Sequence, residues 1–327
     1  MYVLRLYSKK DIQQVIQLNA AVISEIENAF TALQTKKVTM PPIMRIDIPA
    51  SNGEVDIKSA YVEGYDSFAV KLSSGFFDNP KLGLPSANGM MILIDTTTGE
   101  PKAVLADNGL LTDIRTAAAG AVAAKHLTRE DSSTVAIIGT GSQAKYQLEA
   151  LTKVRPITQV FVYGRNSERA QQYKSFVEKT FNVQVDVKET PSEAVSNSDV
   201  IITTTPATEP VLKAEWFHAG QHITAMGSDA QHKQELDNDI IKKADLFVCD
   251  VKEQSMMLGE LRTVSNKQIL DQVHELGEIT SGQKPGRTND QQLSVCDLTG
   301  TGVQDTQIAR YTWKLLNAKE DDCNGKG

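Results

Sequence analysis

The segment Gly139-Thr140-Gly141-Ser142-Gln143-Ala144 follows the apolar run Thr134-Val135-Ala136-Ile137-Ile138 and opens a stretch with helical spacing. GxGxxA at that place suits phosphate chemistry. The first glycine allows a tight turn, the second lets a pyrophosphate reach the backbone, and the alanine lets helix and strand pack closely. Free N–H groups at the start of such a helix face the phosphates. An isolated GxGxxG also occurs as an ordinary glycine turn, so the β-α context on both sides is what favours a dinucleotide site. About 20 residues further on, an NAD site places an acid against the ribose 2′-hydroxyl, whereas an NADP site places an arginine against the 2′-phosphate. In Val162-Tyr163-Gly164-Arg165-Asn166-Ser167 the acidic position falls on Gly164, and Arg165 follows it. The expectation is NADP(H) in preference to NAD(H), with Asn166 and Arg169 as helpers; a solvated loop arginine is the alternative. Thr203-Thr204-Thr205-Pro206 ends another apolar run, where the carboxyl edge of a parallel sheet meets its ligand.

These residues need a parallel sheet to hold them, and the sequence supplies its pattern. From Ser133 onward, strand-like runs (STVAIIG, TQVFVYG, QVDVK, DVIITTT, HITAMG, DLFVCD, LSVCDL) alternate with helical stretches, as expected of a doubly wound, Rossmann-type α/β unit over residues 116–304. The front of the chain reads differently. Residues 11–33 carry apolar positions at helical spacing, with Ser8 as a cap. From about residue 39 to 106, short runs (EVDIKSAYV, SFAVKLSSG, GMMILIDTTTG, KAVLAD) separated by Gly, Pro and Asn predict a mostly antiparallel sheet. Residues 1–115, with a helix over 305–318 packing back, form an α+β unit in this reading. An alanine-rich helix after Asp113 bridges the two units, and 319–327 is a frayed tail.

The chain has 327 residues, 34 basic against 41 acidic, for a net charge of −7. That balance gives no positive field for nucleic acid or anionic lipid. No run approaches the roughly 20 apolar residues of a membrane span, and no signal peptide is evident, so the expected compartment is the cytoplasm. Cys249, Cys296 and Cys323 are far apart and odd in number, which argues against both a disulfide framework and a metal cage.

Four further charges stand in distinctive surroundings: Arg45 in MPPIMR, Lys71 in FAVKLSSGFF, Arg115 in LLTDIRTAAAG and Asp229 in ITAMGSDAQHKQELD. Taken singly, each reads as a solvated side chain. Together with Gly83-Leu84-Pro85-Ser86, LTDIRTAAAGAVAAKHL, IIGTGSQA, TTTPATEPVL and GSD…K…ELD, they make the sequence similar to the ornithine cyclodeaminase/μ-crystallin family over nearly its whole length. Within it, the chain looks most like ectoine-utilisation cyclodeaminase-like members. It shares GSD…KQELD and the segment Glu275-Leu276-Gly277-Glu278 with iminosuccinate-reductase-like ones.

The resemblance implies a homodimer whose antiparallel unit binds a small amino or imino acid and forms the subunit contact, while the Rossmann unit holds the cofactor. It implies that Arg45, Lys71 and Arg115 hold the substrate α-carboxylate, which a guanidinium fork and an ammonium suit. Asp229 then handles the proton beside the nicotinamide, and Lys71 shares that traffic if its pKa is lowered. Ser86, Arg115, Thr140, Ser142, Gln143, Arg165, Asn166, Thr205, Pro206 and Met226 fall where the family touches cofactor, with Lys233 close to the same loop. Ornithine cyclodeaminases have a glutamate upstream of the lysine; the nearest matching position in this chain is Lys58, and a shift of register by a residue or two brings Asp56, on the same strand face, close to it. In the pocket, Lys58 would repel a distal amine and attract a second carboxylate. The leading expectation is an NAD(P)H-dependent imine reductase or amino-acid dehydrogenase. The alternatives are an ammonia-releasing cyclodeaminase, an opine-forming dehydrogenase and a non-catalytic binder of NADPH and a small ligand.

Overall fold

The computed structural model describes residues 4–324. The chain divides into two compact units, one taking in the residues up to Arg115 and again from Thr301 onward, the other Thr116–Gly300.

In the first unit a six-stranded sheet runs in the spatial order Arg5–Ser8, Pro101–Ala106, Ala87–Asp95, Ser67–Phe76, Gly53–Ser59, Met44–Ile48. Only the pair Arg5–Ser8 and Pro101–Ala106 is parallel. Its strands alternate with period two: Ala69 and Lys71 are buried, whereas Leu72 is exposed. The buried face, with Ala69, Met91, Leu93, Ala103 and Leu105, is the one that the helix Gly302–Asn324 covers; that helix also packs on the helix Ala20–Thr35. Two features fix its register. A Cβ at Gly302 would stand 2.3 Å from the Ser59 carbonyl oxygen, so only glycine lets the helix start this close to the strand. One turn on, Thr306 Oγ1 accepts from Ala69 N at 3.1 Å and donates to the Ala60 carbonyl at 2.9 Å. Asp305, between these anchors, is thereby held against the strand that carries Lys71.

In the second unit eight strands, all parallel, follow the order Gln184–Val187, Gln159–Tyr163, Thr134–Ile138, Val200–Thr203, His222–Ala225, Ser294–Asp297, Leu246–Cys249, His274–Glu275. Every residue of Val200–Thr203, His222–Ala225, Ser294–Asp297 and Leu246–Cys249 is buried, the signature of a sheet covered on both faces. The winding reverses between Thr134–Ile138 and Val200–Thr203, and the carboxyl ends of strands diverge there to leave a crevice.

Three details differ from the sequence reading. The single helix over 11–33 is two: Lys9–Gln13, capped by Ser8 with Asp11 reciprocating, and Ala20–Thr35, where Asn19 Oδ1 accepts from Val22 N at 3.0 Å. A second good cap inside the periodic stretch restarts the helix. Residues 319–324 continue the last helix instead of fraying; 325–327 lie outside the described residues. The strands Arg5–Ser8 and His274–Glu275 were not anticipated.

Candidate functional site

In the second unit a cavity of about 720 Å³ opens at the winding reversal. Gly139, Thr140 and Gly141 form its floor, Arg165, Asn166 and Arg169 one side, and Thr204–Ala207 the other. Gly139 has φ +118°, and a Cβ on it would stand 2.6 Å from Thr204 Oγ1, so glycine is required on both counts. At Gly141 a Cβ would meet nothing within 4 Å. No side chain caps the helix Ser142–Thr152 that begins there, which leaves its amide end open to an anion. Ala144 is fully buried, and the Tyr173 hydroxyl donates to its carbonyl at 3.0 Å. These residues fit a dinucleotide pyrophosphate.

Beyond the cavity, Asp229 follows the strand His222–Ala225 on the loop that starts at Met226. Its carboxylate is partly exposed and paired at 2.7 Å with the buried Lys233 ammonium. The Met226 side chain packs on the apolar core instead of lining the cavity, and its N–H donates to the Thr203 carbonyl. Ser142 and Gln143 open the helix at the cavity floor.

In the first unit, Lys58, Lys71 and Arg115 are buried, with 7%, 1% and 6% of their surface exposed. Lys58 and Lys71 are cross-strand partners and so lie side by side on one sheet face. Lys71 Nζ stands 2.8 Å from Asp305 Oδ2, and Arg115 Nε stands 2.9 Å from Asp305 Oδ1. One fully buried carboxylate therefore bridges two buried cations. Burial above all, and then Arg115, pulls the Lys71 ammonium down to about 7, against the attraction of Asp305. Burial alone would push Asp305 up, but the Arg115 and Lys71 charges outweigh it and hold the carboxyl below the usual range. Asp107, whose Oδ2 accepts from Leu111 N at 2.7 Å, is pushed up to about 6 by burial.

Not all the expected residues join these groups. Arg45 shares the sheet face, two residues along from Lys58 in register, but its guanidinium is engaged by Asp47 at 2.9 Å, by Glu54 and by Asp56 at 3.7 Å. Ser86 sits in the loop before Ala87–Asp95, where its carbonyl accepts from Phe76 N. Asp305 and Asp107 went unnoticed as site residues because a lone aspartate at a helix start reads as a cap. The neighbouring Gly302, spaced for close packing, was the available signal.

The sequence model described as the ornithine cyclodeaminase/mu-crystallin family matches residues 4–320. A provisionally named dehydrogenase of Rhizobium meliloti (strain 1021) is 47% identical over 97% of each chain. An alanine dehydrogenase of Archaeoglobus fulgidus is 36% identical over 95% of each. Among solved structures, the Δ1-pyrroline-2-carboxylate reductase of Thermococcus litoralis, in complex with NADH and L-proline, superposes with a TM-score of 0.90 at 31% identity, over 97% of this chain and 98% of that one. An archaeal alanine dehydrogenase dimer with bound NAD gives 0.88 at 34%, over 97% of each chain. The iminosuccinate reductase of Paracoccus denitrificans with NAD+ gives 0.85 at 27%, also over 97% of each.

All three structures hold NAD or NADH, which overturns the NADP preference expected from Arg165. The geometry shows why Gly164 misled. A Cβ there would stand 2.7 Å from Thr140 Cγ2, so a side chain at 164 would have to displace that methyl. Crowding by Thr140 is a second reason for a glycine at 164, so the lack of an acid there does not by itself point to a 2′-phosphate. Asn166, expected to help, spends its Oδ1 capping the next helix through Arg169 N at 2.9 Å.

Proposed function

Since this chain belongs to the ornithine cyclodeaminase/mu-crystallin family, we propose that it interconverts an α-imino and an α-amino acid, holding the substrate carboxylate with Lys71 and Arg115. It is an NAD(H)-dependent oxidoreductase acting on small imino or amino acids. The observation that carries the residue roles is the pair of buried cations tied to Asp305. Lys58, Lys71 and Arg115 against the carboxyls of Asp305 and Asp107 leave an excess positive charge in a place shielded from water, and an anionic substrate relieves it. When bound, the nicotinamide gives or takes the hydride. The protein's part is to fix the α-carbon by its carboxylate, exclude water and move one proton at the nitrogen. Asp229, on the loop beside the cofactor wall, carries that proton. Lys58, next to Lys71, adds a further positive charge and favours substrates without a distal amine.

NADH oxidation assayed against small α-keto acids with ammonia, cyclic α-imino acids and iminosuccinate tests this reading, with ornithine-dependent ammonia release in parallel. At least one imino acid is expected to be reduced. Consumption with none of them, or ammonia release from ornithine without net NADH turnover, would remove it. The pH profile tests Lys71 itself. In the free protein its charged form prevails below about 7 and is lost above, so kcat/KM for reduction should be flat below that pH and fall about tenfold per unit above it. The change at Asp107, near 6, lies on the acid side and is separable. Lys71→Arg, always charged, should abolish the alkaline fall while lowering the plateau; a fall that persists in the variant would assign it elsewhere.

The sheet of the first unit presents its other face to solvent as an apolar surface. Met90, Leu72, Ile57 and Met44 stand in register across four strands, three of them more than a third exposed. Leu6, Val104, Ile92 and Val70 form the next row. A second copy of this chain is the proposed cover, in keeping with the alanine dehydrogenase dimer among its relatives. Leu72→Asp should convert a dimer into a monomer by light scattering at micromolar concentration. A wild-type monomer, or an unaltered dimer in the variant, would refute the assignment.

A further inference from the structure

Behind the cofactor cavity lies a series of buried carboxylates, each gripping the backbone of the next. Asp297 Oδ2 accepts from Glu260 N at 2.9 Å. Glu260 Oε1 accepts from Glu235 N at 2.8 Å, and its Oε2 from Leu236 N at 3.2 Å. Glu235, fully buried, ends the series and takes four donors. Its Oε1 accepts from Thr205 N at 2.6 Å and Thr205 Oγ1 at 2.7 Å, and its Oε2 from Thr203 Oγ1 at 2.6 Å and Gly227 N at 2.7 Å. The backbone of the same segment holds the rest of the wall: Gln234 N donates to the Ala207 carbonyl, and Val211 N and Leu212 N donate to that of Glu235.

The two segments that Glu235 joins are the ones that matter. Thr204–Ala207 lines the cavity, and Gly227 leads directly into Ser228 and Asp229. A Cβ at Gly227 would stand 2.1 Å from the Thr205 carbonyl oxygen and 2.6 Å from Glu235 Cδ, so the two loops are clamped with no room to spare. Burial pushes the Glu235 carboxyl up while its four donors hold it down, so the buried carboxylate is costly unless all four bonds are kept. That makes the two-loop arrangement an all-or-none feature, since releasing one loop leaves a buried charge half satisfied.

We propose that Glu235 is a positioning residue for the cofactor: it fixes the Thr203–Thr205 and Gly227–Asp229 loops in the conformation that binds NAD(H), with Glu260 as its brace. The inference rests on reading the cavity as the NAD(H) site. Glu235→Gln keeps the shape but turns one acceptor oxygen into an NH2 group facing two donors. The experiment is NADH titration by calorimetry, with thermal unfolding of the ligand-free protein and steady-state kinetics alongside. The variant should bind NADH about tenfold or more weakly, with KM for NADH raised accordingly, KM for the imino acid little changed, and kcat at saturating NADH less affected than KM. A lower melting temperature with unchanged NADH affinity would overturn the proposal, because a purely structural role predicts that result. Should Glu235→Gln not fold, Thr203→Val removes a single donor from the same carboxylate. It should then weaken NADH binding by a smaller but measurable factor, and equal affinity would overturn the proposal. A parent protein that does not bind NADH would overturn the reading of the cavity and this inference with it; a parent that binds while the variants match it overturns this inference alone.

Discussion

Asp305→Asn is expected to lower both stability and turnover by large amounts while leaving NADH affinity unchanged. The carboxylate is fully buried between Lys71 and Arg115, at 2.8 and 2.9 Å. Asparagine is isosteric but neutral, and it presents an NH2 group to one of the cations. Lys71 and Arg115 then lose the carboxylate that lies between them, and removing one partner of a buried pair costs about 3–5 kcal/mol. Denaturant unfolding of the unliganded protein reads that loss. The catalytic consequence follows from the same charges. Asp305 is what holds the Lys71 ammonium up against burial and Arg115; without it the ammonium loses its proton at a pH below about 7. The alkaline limb of kcat/KM should therefore move to lower pH, and activity at neutral pH should fall by two orders of magnitude or more. NADH titration isolates the effect, because the cavity proposed for the dinucleotide is lined by residues of the other unit. A limb that stays in place, or a loss of NADH affinity matching the loss of activity, would mean that Asp305 acts only as a structural ion-pair partner.

What the sequence disclosed was whatever has a period or a fixed local spacing. The parallel sheet is written in apolar runs such as Val135–Ile138 and Val200–Ile202, and the tight turn at Gly139 in GxGxxA, because in both cases the determinants are neighbours in the chain. The long helix Ala20–Thr35 was visible but misjudged at its start, since Asn19 competes with the continuing period only through a side-chain bond that periodicity does not register. The charge cluster was half legible. Lys71 and Arg115 drew attention through their surroundings, but their counter-ion lies 234 and 190 residues away respectively (305 − 71 and 305 − 115). Nothing local at Asp305 distinguishes an anchor from a cap. The cofactor preference was drawn from Arg165 and from the missing acid at 164, where a Cβ would crowd Thr140 Cγ2 at 2.7 Å; a pattern that scores the residue at one position cannot see such a neighbour.

Asp229→Asn should leave NADH binding and the fold intact while reducing kcat by about 10²–10⁴-fold. The argument starts from the loop. Gly227 is bound by Glu235, which also binds Thr205 on the cofactor wall, so Asp229 is presented from a rigid support two residues from that clamp. Its carboxylate keeps 40% of its side-chain surface exposed, enough to meet a ligand, while Lys233 at 2.7 Å steadies it. Reduction of an imine needs a proton at nitrogen and oxidation of an amine must remove one, so a carboxylate that exchanges protons serves both directions, and an amide serves neither. The asparagine retains size and a hydrogen bond, which separates proton chemistry from binding. Lys233→Met supplies the counter-test. If the Asp229–Lys233 pair were merely structural, both variants would lose stability together and keep kcat. If Asp229 carries the proton, Asp229→Asn collapses kcat while KM for both substrates changes little, and Lys233→Met shifts the pH profile with a far smaller loss. Equal kcat in Asp229→Asn and the parent would remove Asp229 from the chemistry altogether.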